Sequence, residues 1–276
     1  MSYVEVVDKI DIPKPDKAYT EPDWVEVGGI PVAYRRKGSG EPVVFLHGGG
    51  YTRRWIPYYE EMSKKVDFIA PEHPGFGETP APSWFRNFDD LTIHYDEFMD
   101  LLGLDKVHLI GFSMGGWAAA EFASFYPKRL KSLTLITPIG LRLLENPGVD
   151  LFQLNPSELM DRLFEDKKAQ EEWMVDLDDF DEGIQMYSEA AAMARLIWAP
   201  RYNLALERRL QRLMCPTLIV GAENDRLIPN EMADRFAEVI PGANLVRKKG
   251  TGHEVCLERP EELTTACIDL ISGAAR

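Results

Sequence analysis

The sequence is short of positive charge. Against 45 aspartates and glutamates it sets 31 lysines and arginines, a formal net charge of −14 over 276 residues. A surface of that sign offers no attractive field to a phosphate backbone or an anionic bilayer, which argues against nucleic-acid binding and membrane docking. Long apolar runs are also missing. No stretch approaches the roughly 18 residues a spanning helix needs, and the opening MSYVEVVDKIDIPKPDK lacks the basic start and apolar middle of a secretory signal. A cytoplasmic location is the expectation. The three cysteines, Cys215, Cys256 and Cys267, form no C-x-x-C pair and read as reduced, apolar packing residues. The five histidines show no metal-ligand spacing, and neither a Walker A pattern nor a G-x-G-x-x-G opening a strand-helix unit occurs. No metal and no cofactor are implied. The acidic stretch DLDDFDEG at 176–183 lacks calcium-loop spacing and reads as a solvated loop.

What is present is an ordinary globular composition, 45% hydrophobic, without internal repeat or low-complexity tract. WVEVGGIPVAYRRKGSG alternates on both sides of Gly28-Gly29 and predicts a β-hairpin at a sheet edge. PVVFLHGGG, VDFIAP, VHLIGFS, LKSLTLITP, CPTLIVGA and ANLVRKKG then read as strands. Between them FDDLTIHYDEFMDLLG, MGGWAAAEFASFYP and NEMADRFAEVIP read as helices, and RPEELTTACIDLISG reads as a helix after the last of them. This alternation predicts an α/β fold, a mostly parallel sheet with helices on both faces. One interval breaks the rhythm. Between Pro138 and Cys215 the chain runs far longer than a crossover needs, and PSELMDRLFEDKKAQEEWMV and GIQMYSEAAAMARLIWAP within it look helical. The expectation is a core of residues 1–139 and 206–276, interrupted by a helical cap at 140–205.

The chemistry centres on IGFSMGGW at 110–117. Ser113 follows a buried strand and precedes a helix rich in small residues, with Gly111 and Gly115 clearing a sharp turn. That places its hydroxyl at the carboxyl end of the sheet, beside a helix N-terminus. A serine nucleophile needs a base, a carboxylate to orient that base, and donors for the oxyanion. ENDRLIP after a later strand offers Glu223 or Asp225, with Asp225 preferred because it sits deeper in the loop, and TGHEV offers His253. The order serine, acid, histidine is the one expected of a hydrolase built on such an elbow. HGGG at 47–50 ends an early strand, and the amides of Gly49 and Met114 are the candidate oxyanion donors.

Through HGGG, EHPGFGET at 72–79, GFSMGG at 111–116, GAENDRLIP at 221–229 and GTGHEVCLERP at 250–260, the chain resembles the α/β-hydrolase fold superfamily over residues 24 to 272, outside the divergent insertion. The resemblance implies an eight-stranded sheet with a cap between the sixth and seventh strands. It further implies Ser113 as nucleophile, His253 as base and then acid, and Asp225 as orienting carboxylate. Glu72 departs from the aspartate that many relatives carry before the G-x-G turn, and a structural role is expected for it.

Other polar residues receive plainer readings. His47 is expected to brace the oxyanion loop, and His73, His94 and His108 to serve packing or turn hydrogen bonds. Arg53 and Arg54 read as exposed, with contact to a substrate carboxylate as the alternative. Of the cap residues Trp173, Met174, Met186, Tyr187, Met193 and Trp198, most are expected in the core, and Trp198 is the leading substrate-binding candidate together with Tyr51.

The leading expectation is a cofactor-independent serine hydrolase, a carboxylesterase acting on a small-molecule ester with a small to medium apolar acyl group. Epoxide hydrolases and haloalkane dehalogenases resemble this layout with aspartate as nucleophile. Carbon-carbon bond hydrolases of meta-cleavage products share the serine but commonly carry tryptophan after the histidine, where this chain has Glu254. Perhydrolases usually lack so large a cap, proline iminopeptidases often have HGGPG, and a lactonase of the same fold remains in view. The reading of another class is a low-turnover receptor or ligand-binding protein on this fold.

Overall fold

The computed structural model describes residues 18–173 and 179–273. The opening segment, Met174 and the start of the acidic stretch 176–183 lie outside the described residues. Strands β1 (Asp23–Val27) and β2 (Ile30–Gly38) form the expected hairpin, turning through Gly28 and Gly29 at φ +56° and +83°, left-handed values that a primed two-residue turn requires. Next come β3 (Pro42–Leu46), α1 (Pro57–Ser63), β4 (Asp67–Pro71), α2 (Phe88–Leu101), β5 (Val107–Phe112), α3 (Met114–Phe125) and β6 (Leu130–Ile136). Before the seventh strand lie α4 (Pro156–Leu163), α5 (Lys167–Trp173), α6 (Phe180–Ile197) and α7 (Leu206–Leu210). The chain closes with β7 (Thr217–Ala222), α8 (Asn230–Val239), β8 (Asn244–Lys248), α9 (Val255–Glu258) and α10 (Pro260–Ile271).

All eight strands join one sheet in the order β1-β2-β4-β3-β5-β6-β7-β8, antiparallel through β2 and parallel from β4 onward. Strands β5 and β7 are buried at every position, which is why they read as unbroken apolar runs and not as alternating ones. Side chains of period two divide between two cores. Val44, Leu46 and Leu109 pack toward α2, α3 and α8, while Val43, Phe45 and Ile110 pack toward α1 and α10, where Cys256 and Cys267 are buried as free thiols. The chain moves outward from β3 to β4, then returns to lay β5 on the other side of β3. Strand order therefore reverses between β3 and β5, the place where open parallel sheets bind ligands beyond their carboxyl ends.

The helical interval is finer-grained than its sequence suggests. The stretch from Pro156 breaks after Leu163 because Phe164 turns extended, at φ −107° and ψ 136°, and because the next two amides are satisfied elsewhere. A capping box between Asn155 and Glu158 starts α4, and the buried Glu258 carboxylate accepts from the amides of Glu165 (2.6 Å) and Asp166 (3.0 Å), where α5 begins. Among the described residues, no helix is long and apolar enough to cross a membrane.

Glu121 on α3 ties the return from this interval to the core. Its fully buried carboxylate accepts from Trp117 Nε1 (2.9 Å), Asn203 Nδ2 (2.8 Å) and the Arg209 guanidinium on α7. Burial raises its pKa, and Trp117 and Arg209 oppose that rise. Arg209→Met should leave this charge buried without its cation. The expected loss in urea unfolding is about 2–3 kcal/mol, at or below the lower end for buried pairs because Arg209 keeps partial exposure.

Candidate active site

Ser113 sits between β5 and α3 at φ 54° and ψ −117°, a backbone conformation few non-glycine residues adopt. Its surroundings hold it there. The Ser113 amide donates to Ile136 O (2.9 Å), and its carbonyl accepts from Gly116 N (2.9 Å) and Trp117 N (3.2 Å). The flanking glycines are required by space: a Cβ on Gly111 would lie 2.2 Å from Gly115 O, and one on Gly115 would lie 2.1 Å from Leu46 O. The tight turn leaves the serine side chain on the wall of a cavity of about 180 Å³ between the sheet end and the cap.

His253 lines the same cavity from the loop after β8. Its Nδ1 lies 2.8 Å from Asp225 Oδ2, and Asp225 Oδ1 accepts from the amides of Leu227 (2.9 Å) and Ile228 (2.8 Å). Because an ionised carboxylate only accepts, Nδ1 carries the proton and Nε2 remains as the basic nitrogen. Burial alone would lower the His253 pKa. The Asp225 charge and hydrogen bond, with Glu254 adding to them, outweigh that and raise it above 6.5. Glu223 is placed elsewhere: it is exposed and accepts from Gly250 N at 2.9 Å.

The loop after β3 brings Gly49 to the cavity, and Met114, first residue of α3, has one of the amides that a helix leaves without an internal acceptor. Two buried histidines fix this loop. His73 N donates to His47 Nε2 (3.0 Å), so the His47 proton is on Nδ1, which donates to Gly48 O (2.6 Å). His73 Nε2 donates to His47 O (2.7 Å), and its Nδ1 accepts from Tyr95. Burial lowers both histidines, His47 to about 4, so they stay neutral. Glu72 tethers the far end, accepting from Arg53 N (2.8 Å), Glu78 N (2.5 Å) and Arg35 Nη1 (2.7 Å). Burial pushes its carboxyl up to about 7 against the pull of Arg35 and the amides.

Two expectations need correction. Trp198 is 63% exposed, beyond the end of α6, with its ring 5.0 Å from that of Phe152, and it is not part of the cavity wall. Arg53 and Arg54 are buried, not exposed, because α6 covers them. Arg53 Nη1 donates to Gln185 (2.8 Å), Arg54 Nη2 pairs with Glu182 (2.7 Å), and the Thr52 hydroxyl donates to Glu189. Positions 182, 185 and 189 share one helical face, so the loop and the cap helix are laced together. Trp173, Met186 and Met193 do line the cavity, with Leu159, Leu163 and Phe164, whereas Tyr187 is exposed. Tyr51 is on the wall as well, its ring stacked on Phe112 at 4.8 Å and its hydroxyl donating to Glu254. No motif in the sequence marks Glu182, Gln185, Glu189 and Glu254, which also line the cavity. Only the spacing on α6 and the position of Glu254 beside His253 could have marked them.

The chain belongs to the alpha/beta hydrolase family, whose profile matches residues 43–266. It is 28% identical over 251 residues to a 2-hydroxy-6-oxo-2,4-heptadienoate hydrolase of Pseudomonas putida F1, covering 85% of this chain and 90% of that one. It is 25% identical over 266 residues to the monoacylglycerol lipase ABHD6 of Homo sapiens, covering 86% and 77% respectively. In fold it resembles a meta-cleavage product hydrolase from Pseudomonas fluorescens IP01, with a TM-score of 0.79, 22% identity, and coverage of 92% of this chain and 98% of the other.

Proposed function

We propose that this hydrolase is a carboxylesterase, with Ser113 as nucleophile, His253 as general base and acid, Asp225 as its orienting partner, and the amides of Gly49 and Met114 as oxyanion donors. The observation that carries the reading is that Ser113 and the Asp225-braced His253 meet on one cavity lined mostly by apolar side chains. In this reading residues 140–205 act as the cap over a core of 1–139 and 206–276. Ser113 Oγ attacks the ester carbonyl carbon while His253 Nε2 takes its proton. The tetrahedral oxyanion is held by the two amides. Its collapse breaks the bond to the alcohol oxygen, which leaves with the proton from His253. Water, deprotonated by His253, then attacks the acyl-enzyme and releases the acid and Ser113.

A second reading, hydrolysis of a carbon-carbon bond in an anionic dienoate, draws support from the relatives' names and from Arg54 on the cavity wall. Charge favours the neutral ester. Arg54 already pairs with Glu182, and Glu189 and Glu254 add further carboxyls to the wall. A panel of p-nitrophenyl esters, lactones and a coloured dienoate tests the choice. Turnover of the butyrate ester is expected, and cleavage of the dienoate alone would replace this reading with the second. Labelling of Ser113 by a fluorophosphonate is expected too; an inert serine would favour a binding protein.

The reaction needs His253 neutral, so kcat/KM for p-nitrophenyl butyrate should fall about tenfold per pH unit on the acid side. Because the His253 pKa is raised, that limb should lie above pH 6.5. A stopped-flow or plate-based profile from pH 5 to 8 checks this, and a flat profile would contradict it.

A further inference from the structure

Glu254 follows His253 directly, is 5% exposed, and lines the cavity. It is built into place and not left there by chance. Its amide donates to Leu163 O (3.2 Å), its carboxylate accepts from the Tyr51 hydroxyl, and the Tyr51 ring is clamped on Phe112 beside Ser113. Among the described residues no lysine or arginine pairs with it, and the charge that draws it toward its ionised form is that of His253. Arg54 is bound to Glu182, and Glu189 accepts from neutral donors, the Thr52 hydroxyl, Gly77 N (3.1 Å) and Gln185 Nε2 (3.2 Å). Among the described residues the wall thus carries three carboxyls and one guanidinium beside the His253 imidazole.

We infer that Glu254 is a specificity-determining residue that makes the cavity reject ester substrates bearing a carboxylate and accept neutral or ammonium-bearing ones. The inference rests on the esterase reading above. In a small, largely apolar space, a second carboxylate meets both the desolvation cost of its own charge and repulsion from the one already there. An ammonium group meets attraction instead.

The selection depends on pH. Burial raises the Glu254 carboxyl to about 7, opposed by His253 and the Tyr51 hydrogen bond and reinforced by Glu258 and Asp225. Tyr59 on α1 and Cys256 on α9 also interact with it, and Arg54, Glu182 and Glu189 line the same cavity. Below that value it is neutral and indifferent to substrate charge; above it, it is an anion.

Three p-nitrophenyl esters of equal chain length separate charge from size: the hexanoate, the half-ester of adipic acid, and the 6-aminohexanoate. Each kcat/KM is divided by that of the hexanoate, so that protonation of His253 and general losses of activity cancel. For the wild type, the adipate ratio should fall about tenfold between pH 6 and 8 while the aminohexanoate ratio rises. Glu254→Gln, which keeps shape and an acceptor for Tyr51, should flatten both profiles and raise the adipate ratio about tenfold at pH 8. Tyr51→Phe removes a hydrogen bond that favours the carboxylate, so it should move the wild-type transition to higher pH. Ratios in Glu254→Gln that match the wild type at every pH, or two ratios that move in the same direction, would overturn the proposal while leaving the esterase reading standing. Failure of the wild type to hydrolyse the hexanoate would remove the esterase reading itself, and this inference with it.

Discussion

Ser113→Ala is expected to lower kcat on p-nitrophenyl butyrate by about 10⁵- to 10⁶-fold, the scale on which serine hydrolases lose turnover without their nucleophile. The loss should be confined to chemistry. Alanine at φ 54° bears the same backbone strain as serine, and the contacts that hold the turn are made by the Ser113 amide and carbonyl, not by its hydroxyl. The melting temperature should therefore stay close to that of the wild type while fluorophosphonate labelling disappears. Residual turnover above the uncatalysed rate is expected, since the proposed donors at Gly49 and Met114 and the cavity would still hold the ester. A variant as active as the wild type would show that Ser113 is a turn residue and nothing more.

Gly115→Ala is expected to destabilise the fold by about 4–5 kcal/mol, on the order of 10–15 °C in melting temperature. Helix propensity alone predicts the opposite sign, because alanine is favoured over glycine within a helix by about 1 kcal/mol. Space decides the matter. The added Cβ would stand 2.1 Å from Leu46 O and 2.4 Å from His47 O, both backbone atoms at the end of β3 that no rotamer change can move aside. Relief requires α3 to withdraw from the sheet, which carries the Met114 amide away with it. Gly183→Ala on α6, with nothing within 4 Å of its added Cβ, is the matched control and should be neutral or stabilising in the same thermal melt.

The strand pattern was readable because β5 and β7 are buried on both faces and show it as continuous apolar runs, and because β1 and β2 announce their turn with Gly28-Gly29. Chain order offers Asp225 and Glu223 from one loop, and what separates them is geometric: the amides of Leu227 and Ile228 hold one Asp225 oxygen while the other meets His253. The cap was harder to read. Amphipathic helices reveal that they have a buried face without revealing what it meets, so Trp198 looked like a wall residue and the buried Arg53 and Arg54 looked like surface. The break at Phe164 depends on Glu258, far away in the chain, and no local signal in residues 156–173 records it.

The lacing of Thr52, Arg53 and Arg54 to Glu182, Gln185 and Glu189 bears on how such an enzyme can be re-engineered. A cap transplanted from a relative onto this core would arrive without its matching side chains and would strand a buried guanidinium beneath it. The exchangeable module is therefore α6 together with the tripeptide under it, and since that tripeptide continues the loop holding Gly49, new selectivity grafted through the cap alone would also disturb the proposed oxyanion donor.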